Sequence, residues 1–314
     1  MTSLRSYRRS WRAAILVSSV VLLIASSAWA TYPGKNGRIA FVATFSGTLQ
    51  LYTINSDGTD LQQLTNLPPT EFPFWNPDYS PDGKRLVFSH DMSGAPELYV
   101  INVDGTGLTQ LTNDGTENIF PRWSPDGSHI TFSSLFIGDR FFYHHLVSIR
   151  ADGSERQTIT KDLFDDYQVD YTTDGQHLIF GSTRRNLISA LWNSKPDGSR
   201  KRQFTAPELE AGGPSVSPDG KHLALYSRQN SEFPSSIWVG NVDGTHLKRL
   251  TRTNELNAFG PVYSPDGSKI VFNGALPGSG TFNMYVMNAD GSGRILILSC
   301  PDGGCLFPDW GSKP

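Results

Sequence analysis

Acidic side chains are the groups in this sequence best suited to chemistry, and they recur at like places. Glu71 and Asp78, Glu117 with Arg122, Asp165, Asp166 and Asp170, then Glu210, and finally Asp309 each lie just before or within a short segment that ends at an aromatic residue or a serine. Asn254, Glu255 and Asn257 fill the corresponding stretch of another repeat. Carboxylates drawn from several repeats and turned towards one axis would form a ring suited to a hard cation such as Ca²⁺, or to a basic peptide. Acidic loop residues serve equally well as solvated or turn-capping groups, so no cofactor is required by the sequence.

The other metal-capable residues are His144-His145 and His90-Asp91. Adjacent residues of a strand point to opposite sides and chelate poorly, which places these histidines at the surface rather than around an ion. Fixed-spacing catalytic motifs are missing: the sequence has no Gly-x-Ser-x-Gly elbow, no His-Glu-x-x-His pair and no glycine-rich phosphate loop. No catalytic residue is nominated on these grounds. A binding role is expected, with a metal-dependent lyase or hydrolase of a sugar or peptide in a central channel as the alternative. Phe136, Phe141, Phe142 and Tyr143 form a third candidate, an aromatic loop for a small ligand or glycan, or else a satellite hydrophobic pack.

What must position these residues is a series of turns. Ser80-Pro81-Asp82-Gly83 returns at 124–127, 217–220 and 264–267, and as Thr172-Thr173-Asp174-Gly175 between them, at spacings of 44 to 48 residues. Proline pre-sets φ, aspartate bonds to the local backbone and glycine takes the left-handed conformation that closes the turn. A second phrase, Asp104-Gly105-Thr106-Gly107-Leu108-Thr109-Gln110-Leu111-Thr112, has counterparts beginning at Asp57, Asp152, Asp197, Asp243 and Asp290. Asp-Gly between apolar runs such as Leu98-Tyr99-Val100-Ile101 and the next Leu-Thr is a strong hairpin signal. One period therefore holds four antiparallel strands, the pattern of a β-propeller blade. Tyr99, Trp192, Trp238 and Tyr285 repeat with the fold and are assigned to packing between blades.

The ends of the chain indicate how the ring closes. Asn36-Gly37-Arg38-Ile39-Ala40-Phe41 lacks a preceding Pro-x-Trp strand, and Phe307-Pro308-Asp309-Trp310-Gly311-Ser312 supplies one with nothing after it. The expected fold is all-β: a six-bladed propeller of four-stranded blades over 31–314, with the C-terminal strand completing the N-terminal blade.

Composition agrees with this reading. Among 314 residues are 30 glycines and 20 prolines, with 38% hydrophobic residues and a net charge of −3. Such a chain is turn-rich yet able to build a core, and its charge points to neither nucleic acid nor an anionic surface. Arg5, Arg8, Arg9 and Arg12 precede an apolar run from Ala13 to Ala25, and Ala28-Trp29-Ala30 follows. Residues 1–30 thus read as an export signal, which makes the protein periplasmic or secreted and without a membrane anchor after cleavage. In that compartment Cys300 and Cys305 are expected to form a small-loop disulfide, a redox or metal pair being the alternative.

The Ser-Pro-Asp-Gly and Asp-Gly-Thr phrases together resemble the TolB-type six-bladed propellers of bacterial envelopes. The resemblance covers nearly everything after the export signal. It implies a monomeric scaffold that binds an envelope protein or a peptide at the mouth of the ring. Full-length members also carry an N-terminal α/β domain and work in the Tol–Pal system; the sequence leaves no room for that domain, so the partner does not transfer with the fold. Related propellers cap prolyl oligopeptidase-type peptidases, whose hydrolase domain has no counterpart here.

Overall fold

The structure is a computed structural model that describes residues 33–69, 75–138, 141–185, 188–228, 234–300 and 304–314. Residues 1–30, read above as an export signal, and Glu71 lie outside the described residues. Among the described residues, twenty-four strands form six sheets of four. Blade 1 joins the C-terminal β24 (Cys305–Ser312) to β1 (Asn36–Ala43), β2 (Gln50–Ile54) and β3 (Gln62–Gln63). Blade 2 is β4 (Asp78–Tyr79), β5 (Arg85–His90), β6 (Glu97–Asn102) and β7 (Thr109–Gln110). Blade 3 is β8 (Asn118–Trp123), β9 (His129–Ile137), β10 (Phe142–Arg150) and β11 (Gln157–Thr158). Blades 4, 5 and 6 run from β12 (Asp166–Tyr171) to β15 (Arg202–Gln203), from β16 (Ala211–Val216) to β19 (Lys248–Arg249) and from β20 (Asn257–Tyr263) to β23 (Ile295–Leu298).

Every pairing within a blade is antiparallel, including the closing one, where Trp310 lies opposite Ile39 and Asp309 opposite Ala40. The two ends of the propeller are thus held in one sheet, and blade 1 has its full set of four strands.

The repeated turns work as their residue types require. Asp82 Oδ1 accepts the Ser80 hydroxyl at 2.7 Å and the Lys84 N–H at 3.1 Å, while Ser80 Oγ accepts the Arg85 N–H at 3.0 Å. Gly83 has φ 68°, and a side chain there would run into the Ser312 carbonyl of the closing strand. In the second phrase the terminal threonine is buried. Thr65, Thr112, Thr160 and Thr251 each accept a third-strand N–H at 2.9 Å, from Leu51, Leu98, Leu146 and Ile237. Thr205 does the same for Leu191 at 2.8 Å. The short outermost strand ends on a bond that the regular ladder would leave unmade.

The core is divided into slabs between blades. One cluster joins Ile39, Phe41 and Trp310 to Val271 and Met284 of blade 6; another joins Ala40 and Leu51 of blade 1 to Leu86, Phe88 and Tyr99 of blade 2. Four more clusters fill the remaining blade junctions in the same way. Tyr99 and Tyr285 lie in these slabs, stacked on Phe88 and Phe272 at ring separations of 6.0 and 5.6 Å. The slabs hold the inner strands at fixed spacing around the axis, which is the scaffold for the site. Cys300 and Cys305 are joined by a disulfide at the start of β24.

Candidate functional site

The innermost strands carry a shared irregularity. Asn76, Phe120, Gln168, Gly213, Gly260 and Phe307 occupy the same place in the six blades, and all have positive φ, between 39° and 61°. In blades 1 and 3 to 6 the pairing with the second strand slips at this point, a β-bulge. Proline follows the bulge residue in five blades, and valine in blade 4. Left-handed backbone costs glycine and asparagine little, but for a bulky side chain it is a true outlier of the kind stored at binding sites. Phe120 and Phe307 bear that strain. The left-handed turn brings these six positions to the axis, where with the prolines they rim a funnel that narrows to a cavity of about 90 Å³.

Two residues further along each strand comes a second ring of equivalent positions: Asp78, Arg122, Asp170, Ser215, Val262 and Asp309. Here the side chains stitch one blade to the next. Asp309 Oδ2 accepts the Tyr79 N–H at 2.8 Å, Asp78 Oδ2 the Trp123 N–H at 2.6 Å and Asp170 Oδ2 the Val216 N–H at 2.8 Å. Ser215 Oγ accepts the Tyr263 N–H at 3.2 Å. Arg122 replaces the acceptor in blade 3 and turns its guanidinium to the carboxylates, 2.5 Å from Asp78, 3.4 Å from Asp309 and 3.6 Å from Asp170.

Three carboxylates share one guanidinium in a nearly dry place, and their titration reflects it. Burial pushes Asp78 up to about 8, against the pull of Arg122 and with a push from Asp309. Asp170 and Asp309 also move up, again chiefly through burial. Desolvation works against the charge of Arg122, but the surrounding carboxylates outweigh it and its pKa rises. With 24% of its side chain exposed, Arg122 is the charged group of this set most open to the channel.

The remaining acidic candidates are elsewhere. Glu117 and Asp165 meet on the rim between blades 3 and 4, where His144 Nε2 lies 3.2 Å from Glu117 and Nδ1 3.2 Å from Asp165. Burial would lower the imidazole's pKa, yet hydrogen bonds to the two carboxylates raise it to about 9, so the ring is a cation at neutral pH. Asp166 is fully buried and bound by Arg184 at 2.9 and 2.6 Å, with Asp162 on the same guanidinium at 2.6 Å. Burial raises Asp166 to about 6, Arg184 opposing. Glu210 caps the short 3-10 turn Pro207–Leu209 with φ 45°. Glu255 pairs with Arg294 at 3.2 Å, and Asn257 accepts the Ser235 N–H at 2.9 Å.

The nominated residues therefore do not converge on one ring. Asp78, Arg122, Asp170 and Asp309 come together, and a guanidinium stands among their carboxylates where the sequence suggested a cation or a basic ligand. Among the described residues no group of three or more His, Cys, Asp or Glu side chains could hold a metal ion. His90 is buried against Trp75, with ring centroids 4.4 Å apart, rather than at the surface as expected. Sequence reasoning passed over Phe120, Phe307, Asn76 and Gln168. Their signal was the place before the inner-strand proline, which valine takes in blade 4, and it is visible only once the repeats are set in register.

The family model for the TolB beta-propeller domain matches residues 17–134 and 70–230, together well over half of the chain. Among solved structures, TolB from Acinetobacter baumannii is similar with TM-score 0.74 and 21% identity, over 88% of this chain and 67% of that one. A putative TolB from Agrobacterium tumefaciens is similar with TM-score 0.67 and 21% identity, over 89% of this chain and 92% of that one. An oligogalacturonate lyase in complex with manganese is more distant, with TM-score 0.51 and 17% identity over 84% of this chain and 74% of that one. No curated protein matches the chain. At these identities the structural likenesses speak for the fold alone.

Proposed function

The chain belongs to the TolB β-propeller domain family, and on that premise we propose that it is an exported scaffold of the cell envelope that holds a partner protein or peptide at the channel mouth. The reading rests on the mouth itself. The channel carboxylates are committed to blade-to-blade bonds and to Arg122, while the rim above them presents strained Phe120 and Phe307 among prolines, a rigid apolar collar around a partly exposed guanidinium. Rigid aromatic anchors in a pre-formed concavity bind a partner's side chain at small entropic cost. Arg122 supplies the positive charge in the channel, so Ca²⁺ has no role in this reading.

Export to the periplasm or beyond is part of the proposal and rests on the N-terminal sequence. No helix of the described residues is long and apolar enough to cross a membrane. The alternative, a metal-dependent lyase or hydrolase, is not favoured: the lyase likeness is distant, and both ring nitrogens of His144 are bonded to carboxylates.

Affinity capture from envelope extracts tests the proposal, using the mature chain and its Phe120→Gly and Phe307→Gly variants. Glycine suits the left-handed backbone at both sites, so the variants should fold while losing the collar. The expected result is a discrete partner recovered by the native chain and lost with the variants. Equal recovery by all three would place the binding surface elsewhere.

A further inference from the structure

A second feature of the mouth-side face has no part in that site. Strands β9 and β10 are nine residues long, where their counterparts β5 and β6 in blade 2 have six. The extra length outruns the rest of the sheet: β8 pairs with β9 up to Ser134, and β11 pairs with β10 at Val147 and Ser148. The projecting ribbon exposes Phe136 (46%), Ile137 (67%), Phe141 (64%) and Phe142 (66%). Ile137 is paired with Phe142 and Phe136 with Tyr143, and successive side chains point to opposite faces. Ile137 and Phe142 are therefore exposed on one face, and Phe136 on the other, where it stacks on His145 at 4.9 Å beside the half-buried Tyr143.

Leu163, 61% exposed, lies in the loop beside it, which is tied to the ribbon by His145 Nε2 on the Asp162 carbonyl at 2.8 Å. Topology puts this ribbon at the same end of the blade as the mouth. The hairpins between second and third strands of blades 1, 4 and 6 stand at that end too, and they expose Phe45, Ile188 and Leu276.

Such a cluster on one protruding element calls for an occupant. At ~200 Å² for each large side chain, the five of the ribbon and its neighbouring loop expose roughly 600 Å², less than the ~800 Å² per partner of a stable protein interface. A flat partner, a second copy of this chain included, would also cover one face and leave the other wet. Apart from the half-buried Tyr143, the side chains of the ribbon and its neighbouring loop are phenylalanine, isoleucine and leucine where they are most exposed, and these offer no O–H or N–H to the hydroxyls of a sugar. Hydrocarbon covers both faces at once. The charge behind the ribbon nearly cancels, three cations against four carboxylates: His144 sits between Glu117 and Asp165, and Arg184 binds Asp162 and Asp166 with Lys201 also on Asp162. Asp139 and Arg140, which join the strands in sequence, add no net charge.

We propose that the mouth-side face of the ring rests on a lipid bilayer, with the β9–β10 ribbon entering the interfacial region as a wedge. Attachment comes from apolar area rather than from charge, so a zwitterionic surface suffices. The mouth then faces the bilayer, and a partner held there is one presented at that membrane.

The test is sedimentation of the mature chain with phosphatidylcholine vesicles, together with a Phe142→Cys variant carrying an environment-sensitive dye. The introduced thiol takes the label specifically, because Cys300 and Cys305 are tied in a disulfide. The expected results are salt-independent co-sedimentation, a blue shift of the dye on vesicles, and at least a tenfold loss of binding in Ile137→Ser/Phe142→Ser. Melting at the native temperature would confirm that this surface variant is folded. The proposal is overturned if the chain stays in the supernatant with vesicles of every composition. It is equally overturned if binding needs phosphatidylglycerol and vanishes in high salt, or if the chain forms dimers that the double variant abolishes.

Discussion

Replacing Arg122 by methionine removes the one cation from the channel cluster while keeping most of the side-chain volume. The guanidinium lies 2.5 to 3.6 Å from Asp78, Asp309 and Asp170, and those carboxylates stay fixed by their bonds to Trp123, Tyr79 and Val216. Breaking a buried ion pair by removing one partner costs about 3–5 kcal/mol. A domain larger than 250 residues loses roughly 2 °C of melting temperature per kcal/mol, so the variant should melt on the order of 5–10 °C lower at pH 8.

The loss should depend on pH in a defined direction. Asp78, already raised to about 8, binds its proton more tightly folded than unfolded; its contribution is fully present below 3.8 and disappears as pH rises through about 8. Without Arg122 the three carboxyls move further up, and the penalty deepens above neutrality but fades towards pH 5. Adding Asp78→Asn to the variant should restore part of the loss, since one charge fewer remains unpaired. Calorimetric melts of the native chain, the two single variants Arg122→Met and Asp78→Asn, and the double variant at pH 5, 7 and 9 check the cycle. A variant that melts within about 1 °C of the native chain, or loses as much at pH 5 as at pH 9, would refute this picture of the channel.

Single bonds carry two further expectations. Thr205→Val keeps the shape of the side chain but leaves the buried Leu191 N–H without its 2.8 Å acceptor, so stability measured in urea should fall by about 1–3 kcal/mol. His144, raised to about 9, stabilises the rim fully below 6.5 and loses that effect as pH rises through about 9, so the melting gap between the native chain and His144→Gln should close between pH 7 and 10.

The fold was legible because its signals are local and repeated. Ser80 to Gly83 and Asp104 to Thr112 fix hairpins by turn chemistry alone, and Phe307 to Ser312 announces a strand without a sheet. The closing pair Ile39 and Trp310 follows from counting those phrases. The site was legible only in part. Asp78, Asp170 and Asp309 share a strand position with Arg122, but Glu117, Asp165 and Asp166 lie a few residues earlier, before the bulge. Alternation in a strand and a one-residue slip send those side chains to the rim or the blade interior instead of the axis. The left-handed backbone at Phe120 and Phe307 leaves no trace in residue type, because phenylalanine is not chosen for positive φ.

The claim on which the rest depends is that the mouth collar is the surface that receives a partner. A photo-reactive phenylalanine analogue placed at Phe307, and separately at Leu61 among the exposed residues of the opposite face, tests this in intact cells. One discrete protein adduct is predicted from position 307 and none from position 61. Adducts from position 61 alone, or from neither while the pure protein turns over a sugar or peptide, would contradict it.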